Sequence, residues 1–495
     1  MADEKSYRQI FKATSLFGGV QLLVIIFSIV RTKFIALWLG PEGIGIIGIF
    51  TSAITLIYAI TGFGVGSSAV RNISQANSKG DIDLVSSTIS TVRKLSLLLG
   101  FAGLLITLLF SNILSEVSFD SDLSQYTLSF MLLSIAIFFM AWENGEAAIL
   151  QGLRKLKYLA KARVISSLAS LVFSLPLFYY YGLKGIVPSL IMVYLFNAIF
   201  NYMYSRKIVI QKSKIDFFKE IEIVKDILKL GGAMALSSIL VYAVMFVIRT
   251  FIGKYGDIND VGFYVAAFAI LNGYVGLIFT AMAKDYYPRL SEVNDDNELS
   301  GTIANQQIEI GLLILLPIIS ILIVTTPLVI KILYSSEFLT IKSLLYWSLL
   351  GIPFKMISWS FSYVILSKGD TKSFLTYEVL GNITIAVTHI FGYKLWGLDG
   401  LGYAFLFSNF IYFILVYSII KRKYLISLSY DAKKIFIYAL VCALILILIK
   451  NFTSNIIIYS ISIPIVIFTI YMSFYKLSQK MNFSFNIINK FKFFK

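Results

Sequence analysis

The chain is 495 residues long, 58% hydrophobic and only 14% charged, with a mean hydropathy of +0.82. A soluble domain is nearer a quarter charged, so this composition excludes an ordinary globular enzyme and specifies a polytopic membrane protein. The 43 Lys and Arg against 27 Asp and Glu leave a net +16; basic residues flanking spans on the cytoplasmic side account for that excess, and no nucleic-acid partner is expected.

The N-terminal MADEKSYRQIFK is charged and runs into a long apolar stretch without a short core and cleavage site, so no removed signal peptide is expected. Apolar runs of about 20 residues then predict fourteen transmembrane helices. They lie near 15–39, 43–66, 95–112, 125–150, 161–181, 185–205, 231–253, 261–283, 303–328, 343–367, 373–395, 398–420, 433–450 and 456–475. The runs are continuous, not alternating, which favours helices over a barrel. An even number of spans puts both termini on one side, and the concentration of Lys and Arg assigns that side to the cytoplasm. External loops are short; the longest begins SNILSEVSFD at Ser111 and carries no basic residue. The expected organisation is a six-helix bundle over 1–207, a linker over 208–230, a second six-helix bundle over 231–423, and two extra helices with a basic tail over 424–495. In the linker, Phe217, Ile221, Val224 and Leu228 recur at helical spacing and predict an amphipathic helix in the inner interface.

The halves repeat. Arg31-Thr32 matches Arg249-Thr250 at an offset of 218, and Arg71 matches Arg289 at the same offset. ILQGLRKLKYL from Ile149 matches ILSKGDTKSFL from Ile365 at 216, and Gly182-Leu183-Lys184-Gly185 matches Gly397-Leu398-Asp399-Gly400 at 215. Four matches in order with slowly drifting offsets indicate a duplication. Six spans per copy make the copies parallel, with a substrate path expected where they meet.

Ionisable groups at membrane depth are costly, and each is a functional candidate. Lys355 lies about 18 Å into the tenth span and should face a wet cavity or an acid. Arg31 and Lys33 lie roughly 24–27 Å into the first span, and Arg249 occupies the matching place in the seventh. These four make up the expected cationic substrate-binding surface, with snorkelling to the external interface as the competing reading for Arg31, Lys33 and Arg249. Arginine would grip phosphate oxygens through its planar fork. Glu143 and Glu146, three apart on one face, could bind a coupling proton or cation, or pair with Arg154, Lys155 or Lys157. Asn197, Asn201, Asn272, Asn382 and Asn409 either line a polar cavity or bond helix to helix. With His389 the only histidine and Cys442 the only cysteine, no Cys/His metal centre is expected. Nucleophile–base pairs and a Walker A sequence are absent, so no catalytic residues, cofactor or ATP-driven pump are expected.

KATSLFGGVQ from Lys12, KFIALWLGPEGIGIIGIF from Lys33, DYYPRLSE from Asp285, FSYVILSKGDTKSFLTYEVLGN from Phe361 and GLDGLGYAF from Gly397 resemble segments of the Wzx-type O-antigen and oligosaccharide flippases. These belong to the multidrug/oligosaccharidyl-lipid/polysaccharide exporter (MOP) superfamily, and the resemblance covers roughly residues 10–425. It implies an all-α fold of two six-helix bundles around a central cavity, working by alternating access in the bacterial inner membrane. It implies as substrate an undecaprenyl-pyrophosphate-linked oligosaccharide, moved from the cytoplasmic to the periplasmic leaflet. The cation-lined cavity of these flippases maps onto Arg31, Lys33, Arg249 and Lys355. The expected partners are that lipid-linked glycan, membrane lipid and other polysaccharide-assembly membrane proteins; a proton or sodium gradient is the expected driving force. A cation-coupled multidrug antiporter is the alternative, and a membrane-embedded glycan polymerase a more distant one.

Overall fold

Helix is the answer a chain this apolar must give, because hydrocarbon offers backbone groups no partner outside their own segment. In the structure, a computed structural model that describes residues 2–119, 123–208, 217–452 and 455–481, every described regular element is helical. In chain order the α-helices are α1 (Ala2–Trp38), α2 (Gly40–Thr61), α3 (Val65–Ser78), α4 (Ile82–Leu109), α5 (Ser111–Ser118), α6 (Leu123–Gly152), α7 (Leu156–Tyr181) and α8 (Ile186–Ser205). There follow α9 (Phe217–Tyr255), α10 (Ile258–Ile270), α11 (Gly276–Glu292), α12 (Asn297–Leu333), α13 (Lys342–Ser367), α14 (Thr371–Tyr424), α15 (Tyr430–Phe452) and α16 (Asn455–Met481). Among the described residues twelve helical stretches are long and apolar enough to cross a membrane, and the chain is a multi-pass membrane protein.

Two of the twelve are hairpins. Leu156–Ser205 folds back at Gly182, and pairs climb one leg as they descend the other. Tyr158 meets Tyr204 at 5.8 Å, Ser166 Oγ donates to Asn197 Oδ1 at 2.7 Å, and Phe173 meets Phe196 at 5.0 Å. Thr371–Tyr424 folds back at Gly397 in the same way, with Tyr424 donating to Asp370 at 2.5 Å and Tyr377 against Tyr412 at 5.9 Å. Gly182 takes φ 56° and ψ −133°, and Gly397 φ 57° and ψ −137°. A Cβ disfavours this region strongly, which is why glycine stands at both. The two glycines that the internal repeat pairs thus share one backbone conformation.

The chain forms two compact units, Met1–Phe263 with Leu333–Glu337, and Tyr264–Ile332 with Phe338–Lys495. In the first, α3, α4 and α6 share a core of Val65, Ile73, Ile89, Val92 and Ile149. The stretch expected to be an interfacial linker behaves differently. Residues 209–216 lie outside the described residues, but from Phe217 the helix continues unbroken into the seventh span as α9. Ile227 is fully buried in the α3–α4–α6 core with Ile223 and Leu228 packed beside it, because these apolar positions form one stripe at helical spacing. Elsewhere in this unit α2 lies close to the start of α10: a Cβ on Gly262 would sit 1.9 Å from the Pro41 carbonyl oxygen. The loop from Ser111, expected to be external, opens with α5.

In the second unit α13 packs along the α14 hairpin, and α15 packs on α13. The segment between α14 and α15 is pinned to α12. Asn305 Nδ2 donates to Ser427 O at 2.9 Å, and Ser429 N donates to Asn305 Oδ1 at 2.8 Å. Ser429 Oγ donates to Glu309 at 2.7 Å, and Lys480 at the end of α16 pairs with the same Glu309 at 2.5 Å. At the base of the hairpin Asp370 caps α14 and takes hydrogen bonds from Lys423, Tyr424 and Ser373 N.

Candidate functional site

Charge placement in the first unit begins with α6, whose sequence AWENGE puts Glu143 and Glu146 within one turn. Three residues turn a helix through about 300°, so the two carboxylates project in related but distinct directions. The structure sends them to different fates. Glu146 is buried and held by Arg93 of α4 in a two-point ion pair, Nε to Oε1 at 3.0 Å and Nη2 to Oε2 at 3.2 Å. Ser205 donates its hydroxyl to the same carboxylate, and Arg93 reaches Ser205 Oγ at 3.1 Å. The partner is therefore Arg93, not the nearby Arg154, Lys155 or Lys157, and every strong valence of Glu146 is spent on helix packing.

Glu143 instead lines a cavity of about 480 Å³ formed by α2, α3, α6, α7 and the middle of α9. Tyr58, Glu143 and Asn144 are half-buried within it, whereas Ser67, Gln151 and Arg163 stand exposed at its mouth. Arg163 is close enough to influence Glu143 electrostatically, yet among the described residues no ion pair or hydrogen bond joins them. Asn144 Nδ2 donates to Met140 O at 2.8 Å, which leaves its Oδ1 as an acceptor. Tyr242 of α9 completes the wall.

Arg31 of α1 lies behind this cavity. Its guanidinium sits 5.7 Å from the Phe178 ring, and the Tyr194 phenol is within electrostatic reach of Arg31, Glu143 and Tyr242. Nε and Nη2 of Arg31 are buried without a hydrogen-bond partner among the described residues. A buried guanidinium with open donors is expensive, which makes it a ready receiver of an anion. Lys33, two residues on, is directed elsewhere and donates to the Tyr334 carbonyl. Arg249 donates Nη1 to Gly48 O at 2.6 Å, against α2. The three candidate-site cations of this unit, Arg31, Lys33 and Arg249, thus occupy three separate environments.

In the second unit Lys355 places its ammonium 5.6 Å from the Phe279 ring and 5.9 Å from the Phe405 ring, and no described acid pairs with it. Cation–π contact offsets part of the cost of holding such a charge in apolar surroundings. His389 is buried, bonds Ile385 O through Nδ1 at 2.8 Å and lies 5.9 Å from the Phe268 ring, the environment of a packing residue. Asn197, Asn201, Asn382 and Asn409 all return their amides to the backbone one turn earlier, and Asn197 in addition accepts from Ser166 across its hairpin through Oδ1. Among the described residues there is no cluster of His, Cys, Asp or Glu able to hold a metal ion.

Sequence reasoning did not single out Arg163, Tyr58, Tyr194 or Tyr242. A signal existed for the first: Arg163 interrupts the apolar leg ARVISSLASLVFS, and the duplication aligns it with Glu378 at an offset of 215.

The polysaccharide biosynthesis protein family model matches residues 34–343. A protein of Shigella flexneri, provisionally named an O-antigen transporter, is 28% identical over 333 residues, covering 66% of this chain and 76% of its own. The lipid III flippase of Escherichia coli (strain K12) is 21% identical over 396 residues, 77% of this chain and 91% of that one. Among solved structures, the lipid II flippase MurJ in an inward closed conformation superimposes with a TM-score of 0.71 at 17% identity, over 94% of this chain and 100% of its own. An inward-facing multidrug resistance MATE family transporter of the MOP superfamily gives 0.68 at 18% identity, over 83% and 96%. These structures establish the helical transporter fold.

Proposed function

As the chain belongs to the polysaccharide biosynthesis protein family, we propose that it is a flippase for glycans carried on a polyprenyl pyrophosphate, moving them from the cytoplasmic to the periplasmic leaflet of a bacterial inner membrane. It is a transporter and not an enzyme, in keeping with the transporter and flippase names of its relatives. Both termini lie on the cytoplasmic side in this reading, each hairpin contributes two crossings, and undecaprenyl is the lipid carrier.

The observation that carries the reading is Arg31, whose guanidinium has Nε and Nη2 buried without a hydrogen-bond partner among the described residues. A pyrophosphate crossing hydrocarbon unaided would lose hydration worth tens of kcal/mol. A preplaced guanidinium returns part of that through charge-assisted hydrogen bonds while the polyprenyl tail stays in lipid. Lys355 plays the corresponding part in the second unit, its ammonium held between two rings. Coupling to a proton or sodium gradient falls to Glu143, since Glu146 is consumed by Arg93. A multidrug antiporter would call for a carboxylate where Lys355 stands.

The test deletes the gene, measures surface polysaccharide and lipid-linked precursor, and complements with wild type, Arg31→Met and Lys355→Met. Loss of surface polymer with precursor accumulating in the cytoplasmic leaflet, restored by wild type alone, is the expected result. Arg31→Met keeps the side-chain volume and removes an unpaired charge, so it should still reach the membrane. Normal polysaccharide with new drug sensitivity in the deletion would overturn the flippase reading; full rescue by Arg31→Met would overturn the anion-binding role alone.

A further inference from the structure

The cavity of the first unit has a chemistry that the pyrophosphate does not explain. An anion site gathers cations, but this cavity presents one carboxylate, Glu143, and one guanidinium, Arg163, which balance. They share it without touching: Arg163 lies within electrostatic range of Glu143, and among the described residues neither side chain is tied up by an ion pair or hydrogen bond. An acid and a base kept apart across open space leave an acceptor and a donor set facing the same volume. The remaining polar wall, Ser67, Asn144, Gln151 and Ser238 with the two tyrosine hydroxyls, consists of groups that both accept and donate. Tyr58 and Tyr242 add two rings that each carry a hydroxyl. The volume of about 480 Å³ lies within the range of small-molecule sites.

We propose that this cavity is a saccharide subsite, which seats the sugar residues of the lipid-linked glycan between Glu143 and Arg163 and reads their hydroxyls through Asn144, Gln151 and Ser67. The inference rests on the flippase reading and adds to it a division of labour: cations hold the pyrophosphate, and this neutral polar cavity recognises the glycan. A sugar hydroxyl is at once donor and acceptor, so a row of them satisfies carboxylate, guanidinium and amides together. A phosphate, which only accepts, would leave Glu143 unmatched and repelled. The Tyr58 and Tyr242 rings supply apolar surface for the sugar's C–H faces. Gln151 and Ser67, exposed at the mouth, would meet the sugar farther from the lipid.

The test reconstitutes the full-length chain in vesicles and follows translocation of two probes, polyprenyl pyrophosphate bearing a neutral disaccharide and the same polyprenyl pyrophosphate without sugar. The variants are Gln151→Ala, Ser67→Ala and Asn144→Ala; the first two alter exposed side chains, and thermal melting in detergent confirms that all are folded. Each variant should slow the disaccharide carrier by about tenfold, the value of one hydrogen bond to a polar ligand, and leave the bare carrier within about twofold. Equal slowing of both probes, or of neither, by folded variants would overturn the subsite. If the wild-type chain moved neither probe, the flippase reading itself would fall and the subsite with it, an outcome distinct from the other two.

Discussion

The ion pair between Arg93 and Glu146 makes an asymmetric prediction. The Glu146 side chain is 2% exposed and that of Arg93 17%. Replacing Arg93 with Met leaves a carboxylate with no route to water and only the Ser205 hydroxyl for compensation. Breaking a buried pair from that side costs about 3–5 kcal/mol, the Ser205 bond already included. Replacing Glu146 with Gln leaves Arg93 partly wet and still bonded to Ser205 at 3.1 Å, so the cost falls to about 1–3 kcal/mol. Replacing both with Met and Leu of similar volume removes the desolvation penalty together with the attraction, and should land within about 1 kcal/mol of wild type. Reversible unfolding in mixed micelles measures all three, and Glu146→Leu alone closes the double-mutant cycle. A Glu146→Gln cost above that of Arg93→Met, or a double variant as unstable as the worse single, would refute the reasoning. Translocation by the double variant adds a second reading: retained transport confines Glu146 to packing, whereas lost transport in a folded protein returns it to the coupling step.

Two further outcomes can be checked. Gly182→Ala and Gly397→Ala should each cost about 1–3 kcal/mol from backbone conformation alone, since a Cβ at either meets nothing within 4 Å; the two costs should agree within about 0.5 kcal/mol and add in the double variant, and a neutral result at either in the same unfolding assay would contradict the hairpin geometry. Partial burial raises the Asp370 carboxyl, but hydrogen bonds from Lys423, Ser373 and Tyr424 outweigh it and hold the group well below its ordinary range. Its folded-state affinity for protons is thus lower than that of the unfolded chain, so its contribution to stability is complete above about pH 4 and fades as pH falls further. Asp370→Asn should flatten that acid limb of a melting-temperature profile, and an unchanged limb would assign acid sensitivity elsewhere.

The helical passes, their approximate bounds and the hairpin glycines were legible because each is written locally, in runs of apolar residues or in four-residue matches between the halves. Charge partners were not. The acid at 146 meets Arg93, which stands 53 positions earlier, although three basic residues follow it within eleven. Helix packing sets such pairs, and nothing in a local window encodes it. Arg249 spends a donor on a backbone carbonyl, a partner invisible in any sequence. The polar cavity escaped for the same reason, its wall being single residues from five helices. The seating of Ile227 was not legible either, because interfacial and core-facing helices share one periodicity, and only the presence of the α3–α4–α6 core tells them apart.

The clasp at Glu309 has a consequence in time. Its partner Lys480 lies 171 residues later in the chain, against 53 for Glu146 and Arg93. At roughly 5–20 residues per second of synthesis, the first unit can neutralise its buried carboxylate within about 3–10 s, while Glu309 waits about 10–35 s for α16 to emerge. During that interval the 425–429 strap is already held by Asn305, and Glu309 has only the Ser429 hydroxyl to meet its charge. Arrested synthesis short of Lys480 would therefore strand a bundle with α16 incomplete and the Glu309–Lys480 contact missing, a state that membrane quality-control proteases would tell from the finished protein.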